Sequence, residues 1–168
     1  MTTKLFALEE LEKIATSLHI PLWLYGSFAV EILTHEEIHP EGDIDVACEK
    51  LRDYKVLLSV LPQHGYTLVT ASKWKASEFG NAYNAKLRSQ SGVEIDISYI
   101  KGEIGLHYTK NYIPDLEHVR VFTFSPADLL KMYKNFGERN PRQNTLKIEL
   151  LERVIEKTKE VIISSQVV

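Results

Sequence analysis

The chain holds a single cysteine, Cys48, so no disulfide can form within it. That thiol closes an apolar stretch and reads as a small buried hydrophobe, which suits a reducing, cytoplasmic setting. Long apolar runs are also missing. None approaches the roughly 20 residues that cross a bilayer, so no membrane partner is expected. The opening "MTTKLFALEELEK" turns acidic early and lacks the apolar stretch of a secretory signal. Nor is there an excess of positive charge. Lys and Arg number 20 against 23 Asp and Glu, a formal net charge of −3, and nucleic acid is not an expected partner. What remains is a balance of 44% hydrophobic and 26% charged residues over 168 positions, enough for one globular domain with a substantial core.

The hydrophobic pattern changes period along the chain. In "ALEELEKIATSLH" Leu8, Leu11, Ile14, Ala15 and Leu18 share one helical face. "PLWLYG" is a short apolar strand, and "SFAVEIL" a short helix with Ser27 as its expected N-cap. "DIDVAC" reads as a strand. Residues 51–62 form an amphipathic helix stopped by Pro62 and Gly65. "YTLVTA", "AYNAKLRS" and "VEIDISYI" follow as strands, the last two joined by a "QSG" hairpin, and "VRVFTF" is expected as an edge strand. From Pro126 the period is helical in "PADLLKMYKNF" and "TLKIELLERVIEKTKEV", with "GERNPRQN" as the connecting loop. This order predicts an α+β fold, a sheet flanked by helices with further helices at the C-terminal end.

Two chemical patterns overlap in "THEEIHPEGDIDVAC". His35-Glu36-Glu37-Ile38-His39 spells H-E-x-x-H, which binds zinc when both histidines lie one turn apart on a helix face. Pro40 pushes His39 out of helical geometry, and the segment has no apolar face to seat a helix. Among the later residues only isolated His64, His107 and His118 or generic carboxylates remain as a third ligand. The string reads as an exposed connection.

The second pattern is Asp43-Ile44-Asp45. On a strand these carboxylates project from one face while Ile44 and Val46 enter the core. Their mutual repulsion is relieved by a cation, and hard oxygen ligands favour Mg²⁺. "GVEIDISYI" repeats the arrangement, with Glu94, Asp96 and Ser98 opposite Val93, Ile95, Ile97 and Tyr99. If the two strands are neighbours, Asp96 joins the pair. In "YGSFAVEIL" a strand, a Gly-Ser turn and a helix N-terminus follow one another, an arrangement suited to phosphate. Lys86 and Arg88 alternate on the hairpin strand and are expected to face a triphosphate, with Lys131 and Arg142 as lesser candidates. Trp74 and Tyr83 are aromatic rings that stack on a ligand or pack against neighbours.

Together, "LWLYGSFAVEIL", "GDIDVAC" and "GVEIDISYI" resemble the nucleotidyltransferase superfamily, the polymerase-β-like fold, over about residues 20–100. Fifteen residues lie between Ser27 and Asp43, a wide gap similar to that of the lincosamide and aminoglycoside 2″ adenylyltransferases. The resemblance implies a mixed sheet, with residues 1–125 as the nucleotidyltransferase core and 126–168 as a helical segment of the same domain. It implies that Gly26 and Ser27 hold the β- and γ-phosphates, that Asp43 and Asp45 bind Mg²⁺, and that Asp96 completes the metal site or deprotonates the acceptor. Departures from the family pattern are Ser27 in place of a second glycine, His39 where an arginine is common, Glu41-Gly42 where a His-Asp pair is common, and Gln143-Asn144 where many relatives have Lys-Asp.

The implied activity is transfer of a nucleoside monophosphate from an NTP, ATP foremost, to a hydroxyl of a small molecule, with release of pyrophosphate. An aminoglycoside or lincosamide-like acceptor would make it an antibiotic-resistance enzyme. Two alternatives share the fold: a toxin–antitoxin-type transferase acting on protein or RNA, and a non-catalytic nucleotide-binding module. Retention of three mutually repelling carboxylates beside Gly26-Ser27 argues against the latter. Neither the acceptor nor the oligomeric state follows from the sequence.

Overall fold

The alternation in "GVEIDISYI" decides the two faces of the sheet. In a computed structural model that describes residues 3–40, 42–76, 80–100, 108–112, 120–136 and 141–165, Ile95 and Ile97 are fully buried while Asp96 points to the other side. The elements run α1 (Thr3–Ser17), β1 (Leu22–Tyr25), α2 (Gly26–Thr34), β2 (Ile44–Cys48), α3 (Leu51–Val60), a 3₁₀ turn (Leu61–His64), β3 (Thr67–Ala76), β4 (Gly80–Arg88), β5 (Glu94–Ile100), β6 (Tyr108–Tyr112), β7 (Arg120–Phe124), α4 (Pro126–Phe136) and α5 (Pro141–Ser165). The strands form one seven-stranded sheet in the order β3-β4-β5-β2-β1-β7-β6. It is mixed: β2 and β5 are parallel, as are β1 and β7, and the other pairs are antiparallel. With helices before, between and after the strands, the α+β expectation is met.

Ile44, Val46, Ala85, Leu87, Ile95 and Ile97 turn to one side and cluster with Leu8 and Leu11 of α1 and Leu57 of α3. The period-2 and period-3.6 patterns of these segments therefore meet in one core. Cys48 lies in it as a buried free thiol, its pKa pushed up to about 12 by burial and by nearby Asp53.

Several local expectations differ from the structure. Helix α2 begins at Gly26 with Tyr25 in the N-cap position, so Ser27 is already inside the first turn and makes no capping hydrogen bond. Asp43 lies just before β2 rather than in it. Strand β7 is interior, between β1 and β6, not at an edge. Strand β6 has no counterpart among the sequence assignments. Helix α5 starts at Pro141, inside the expected loop, because proline tolerates the first helical position, where its missing N–H has no partner to lose. At the start of α4, Ser125 Oγ accepts the Asp128 N–H at 3.1 Å and donates to the Asp128 carboxylate at 2.6 Å, a side-chain N-cap.

Candidate active site

One row of paired residues crosses four strands: Lys86 opposite Asp96, Asp96 beside Asp45, and Asp45 opposite Tyr25. Each belongs to the face opposite Ile44, Val46, Ile95 and Ile97. Asp43 enters from the segment before β2, and one carboxylate oxygen from each of Asp43, Asp45 and Asp96 lies within 4.8 Å of the others. The sheet thus brings together the three acids, the parallel pairing of β2 with β5 meeting the one condition that local pattern left open.

Burial, then repulsion from Asp43 and Asp96, raises the pKa of Asp45 to about 7 against the ordinary 3.8. Asp96 is raised to about 6, chiefly by burial, with Lys86 pulling the other way and Asp43 and Glu94 adding to the rise. Asp96 Oδ1 is buried without a hydrogen-bond partner. An all-oxygen set with an unsatisfied buried acceptor fits a hard divalent cation such as Mg²⁺, whose charge would hold all three groups ionised.

Gly26 governs how closely α2 approaches. Its φ is +70°, a left-handed value that glycine adopts without strain, and a Cβ there would strike the Asp45 carboxylate. Only glycine lets the helix N-terminus, with its unpaired N–H groups, lie directly against the acids. Ser27 follows in that first turn, so both residues singled out for phosphate sit beside the cluster.

Of the basic candidates, Lys86 is central. Its Nζ bonds Asp43 Oδ2 at 3.1 Å and Glu94 Oε2 at 3.0 Å, and lies 3.9 Å from Asp96 Oδ2. Burial works against its charge, but the bonds to Glu94 and Asp43 prevail and raise its pKa. Arg88 pairs with the other oxygen of Glu94 at 2.8 Å and is 54% exposed, one step removed from the acids. Lys131 is exposed, and the side chains of Arg142 and Trp74 lie outside the described residues. Tyr83 packs among Tyr54 and Tyr99, and its place on β4 puts it on the face opposite the acids.

Sequence reasoning missed Lys147. It projects from α5, is 7% exposed, and sits over the Tyr133 ring with Nζ 4.9 Å from the centroid. Burial lowers its pKa, while Asp45, Asp43 and Glu31 draw it back up. The available signal was phase: Lys147 shares a helical stripe with buried Leu150 and Leu151, whereas neighbouring Leu146 is exposed. On the opposite flank Tyr25 Oη and Asn84 Nδ2 both lie 3.0 Å from Ser98 Oγ, fixing the floor beside Asp96.

The H-E-x-x-H string does not form a helix face. His35 ends α2 in a left-handed conformation, φ 57°, and the Ile38 and His39 N–H groups bond Glu31 Oε1 at 3.3 and 2.8 Å. Glu31 also pairs with Lys4 at 3.0 Å, and Lys4 bonds the His39 carbonyl at 2.8 Å. That buried pair ties the segment to α1 and shapes one wall of a cleft of about 660 Å³, whose lining includes Glu37, His39, Asp43, Gly92 and Glu94.

A mixed sheet with one acid just before a strand and a second within it, a third on the parallel neighbour and a glycine-led helix N-terminus against them is the arrangement of a nucleotidyltransferase of the polymerase-β type. The chain belongs to the aminoglycoside-2''-adenylyltransferase family, whose sequence profile matches residues 7–115, and it is by that membership an adenylyltransferase. Its fold is similar to that of ANT(2'')-Ia in complex with adenylyl-2"-tobramycin, at 15% identity over 98% of this chain and 97% of that one, with a TM-score of 0.64. The solution structure of ANT(2'')-Ia, an antibiotic-resistance factor, gives the same TM-score of 0.64 at 12% identity, over 98% and 94%. The lincosamide adenylyltransferase LnuA in its lincomycin-bound form is similar at 14% identity over 92% and 98%, with a TM-score of 0.60. No curated protein sequence matches significantly.

Proposed function

We propose that this protein transfers AMP from ATP to a hydroxyl of a cationic, aminoglycoside-like small molecule in the cytoplasm, releasing pyrophosphate. The observation that carries the reading is the row Lys86–Asp96–Asp45–Tyr25, which sets the acids against the N-terminus of α2. Asp43 and Asp45 would hold Mg²⁺, which when bound neutralises triphosphate charge and polarises the phosphoryl oxygens. The N–H groups at the start of α2 and the Ser27 hydroxyl orient the β- and γ-phosphates, and Lys147 faces them from α5. Asp96 takes the proton of the acceptor hydroxyl. The acceptor oxygen then forms its bond to the α-phosphorus as the bond to the β-phosphate oxygen breaks, and pyrophosphate leaves.

The cleft beside Asp43 supports the acceptor class. Glu37, Asp43 and Glu94 line it; Asp43 and Glu94 share Lys86, and the lysine of the cleft, Lys4, is paired with Glu31, so Glu37 supplies the acidic charge on this wall that no cation of the cleft offsets. Such a wall favours ammonium groups over a neutral ring. Because Lys147 belongs to α5, we read residues 126–168 as completing the same domain rather than forming a separate one.

Pyrophosphate release from MgATP, measured across aminoglycosides, lincosamides and a protein or RNA acceptor, tests the reading. Release with an aminoglycoside supports it. Release with lincosamides alone, or with the macromolecule alone, moves the acceptor class. A melting temperature unchanged by MgATP at 100 times a micromolar Kd, where about 2.7 kcal/mol of stabilisation is expected, removes the nucleotide from the proposal altogether.

A further inference from the structure

Phosphoryl-transfer sites that use two metal ions hold them about 3.5–4 Å apart, bridged by shared carboxylates. Here the space between Asp43 and Asp96 already contains a cation. Lys86 Nζ is 3.1 Å from Asp43 Oδ2 and 3.9 Å from Asp96 Oδ2, and its Cα pairs directly with that of Asp96 across the β4–β5 ladder. The ammonium is braced from behind. Glu94 accepts from it at 3.0 Å, and Arg88 holds the other Glu94 oxygen at 2.8 Å. Moving Lys86 aside breaks its bonds to Asp43 and Glu94 together.

Charge points the same way. Asp43, Asp45, Glu94 and Asp96, when ionised, are opposed by Lys86, Arg88 and, acting on Asp45 and Asp43 from α5, Lys147, which leaves one negative charge, far short of the four positive charges that a pair of divalent cations would bring.

We infer that Lys86 occupies the second cation position, so that the site binds a single divalent ion at Asp43 and Asp45 while the Lys86 ammonium bridges Asp43 and Asp96. This rests on the nucleotidyl-transfer reading above. Lys86 is then a positioning residue. It holds Asp96 in place without a second metal and keeps the Asp96 oxygen near the acceptor open to accept a proton.

The probe is Mn²⁺, counted by electron paramagnetic resonance in the presence of α,β-methylene-ATP, which binds without turning over. The wild-type chain is expected to bind one Mn²⁺, Lys86→Met two, and Lys86→Arg one, because arginine restores the charge. Metal-free melting curves establish that each variant is folded, and the wild-type count stands by itself if Lys86→Met is not. Two Mn²⁺ per wild-type chain, or one in folded Lys86→Met, overturns the inference. Two in the wild type together with normal pyrophosphate release would overturn this point alone, whereas no Mn²⁺ with nucleotide overturns the transferase reading as well.

Discussion

Asp45→Asn should make the metal-free protein more stable and the ligand-bound protein less so. Asp45 has an ordinary pKa of 3.8 that burial and neighbouring carboxylates raise to about 7. Its folded form therefore retains a proton that the unfolded chain gives up. Between about pH 4 and 7 the unfolded state binds fewer protons, so wild-type stability falls as pH rises through that window and levels off above it. The span corresponds to about 4 kcal/mol at about 1.4 kcal/mol per pH unit. Asparagine keeps the shape without the charge, but its amide still occupies a tight site, so about half of that gain should remain. At pH 8 this is a rise of roughly 4–8 °C in melting temperature at about 2–4 °C per kcal/mol. Near pH 4 the two proteins should melt together. With Mg²⁺ and ATP the order reverses, because the variant forfeits the roughly 2.7 kcal/mol expected at 100 times Kd. Thermal melts from pH 4 to 8, with and without MgATP, provide the measurement. A metal-free variant that melts at or below the wild type at pH 8 would refute the account of Asp45 as a strained, proton-retaining acid.

Asp96→Asn should retain most MgATP binding by calorimetry, while pyrophosphate release falls about 10²-fold or more, the scale of losing a general base; normal turnover would mean that another group takes the proton. Gly26→Ala places a Cβ against the Asp45 carboxylate in a left-handed conformation. It should cost about 1–2 kcal/mol in urea denaturation from backbone strain alone, with more from the clash, and should abolish Mn²⁺ binding; full binding would show that α2 can withdraw. Lys4→Met leaves the Glu31 carboxylate, 10% exposed, without its cation and should destabilise the protein by about 3–5 kcal/mol, whereas a loss below about 1 kcal/mol would mean that water replaces the lysine.

The elements that were legible in the sequence are those whose period is locally complete. "VEIDISYI" alternates without a break, so its buried and liganded faces could be assigned before any pairing was known. The partnership of β2 with β5 could be stated only as a condition, because a parallel pair joins segments separated by a helix and a hairpin, and neither strand encodes its neighbour. The N-cap lies two residues before the expected Ser27, at Tyr25. The rule that places serine before a helix competes here with a glycine whose left-handed φ lets the helix start at Gly26. "PRQN" looked like loop because its residues favour turns, yet proline at the first helical position fits well. The interior position of β7 follows from β6, a strand that the sequence pattern did not reveal.

The acids were easier to see than the cations that accompany them, and for a physical reason. A D-h-D strand advertises itself because two charges on one face have no place in a core. A lysine is ordinary on any surface and becomes informative only when its environment is known. Lys86 and Lys147 reach the cluster from elements far apart in the chain, one from the hairpin strand β4 and one from α5. Lys86 lies 3.9 Å from Asp96 and Lys147 acts on Asp45, the two carboxylates that burial raises. The family match ends at residue 115, yet Lys147 approaches Asp45 from beyond it. The C-terminal helix therefore belongs to the electrostatics of the site as much as to the packing of the sheet. Burial raises Asp45 and Asp96 and lowers Lys147 for one reason, the cost of holding charge away from water.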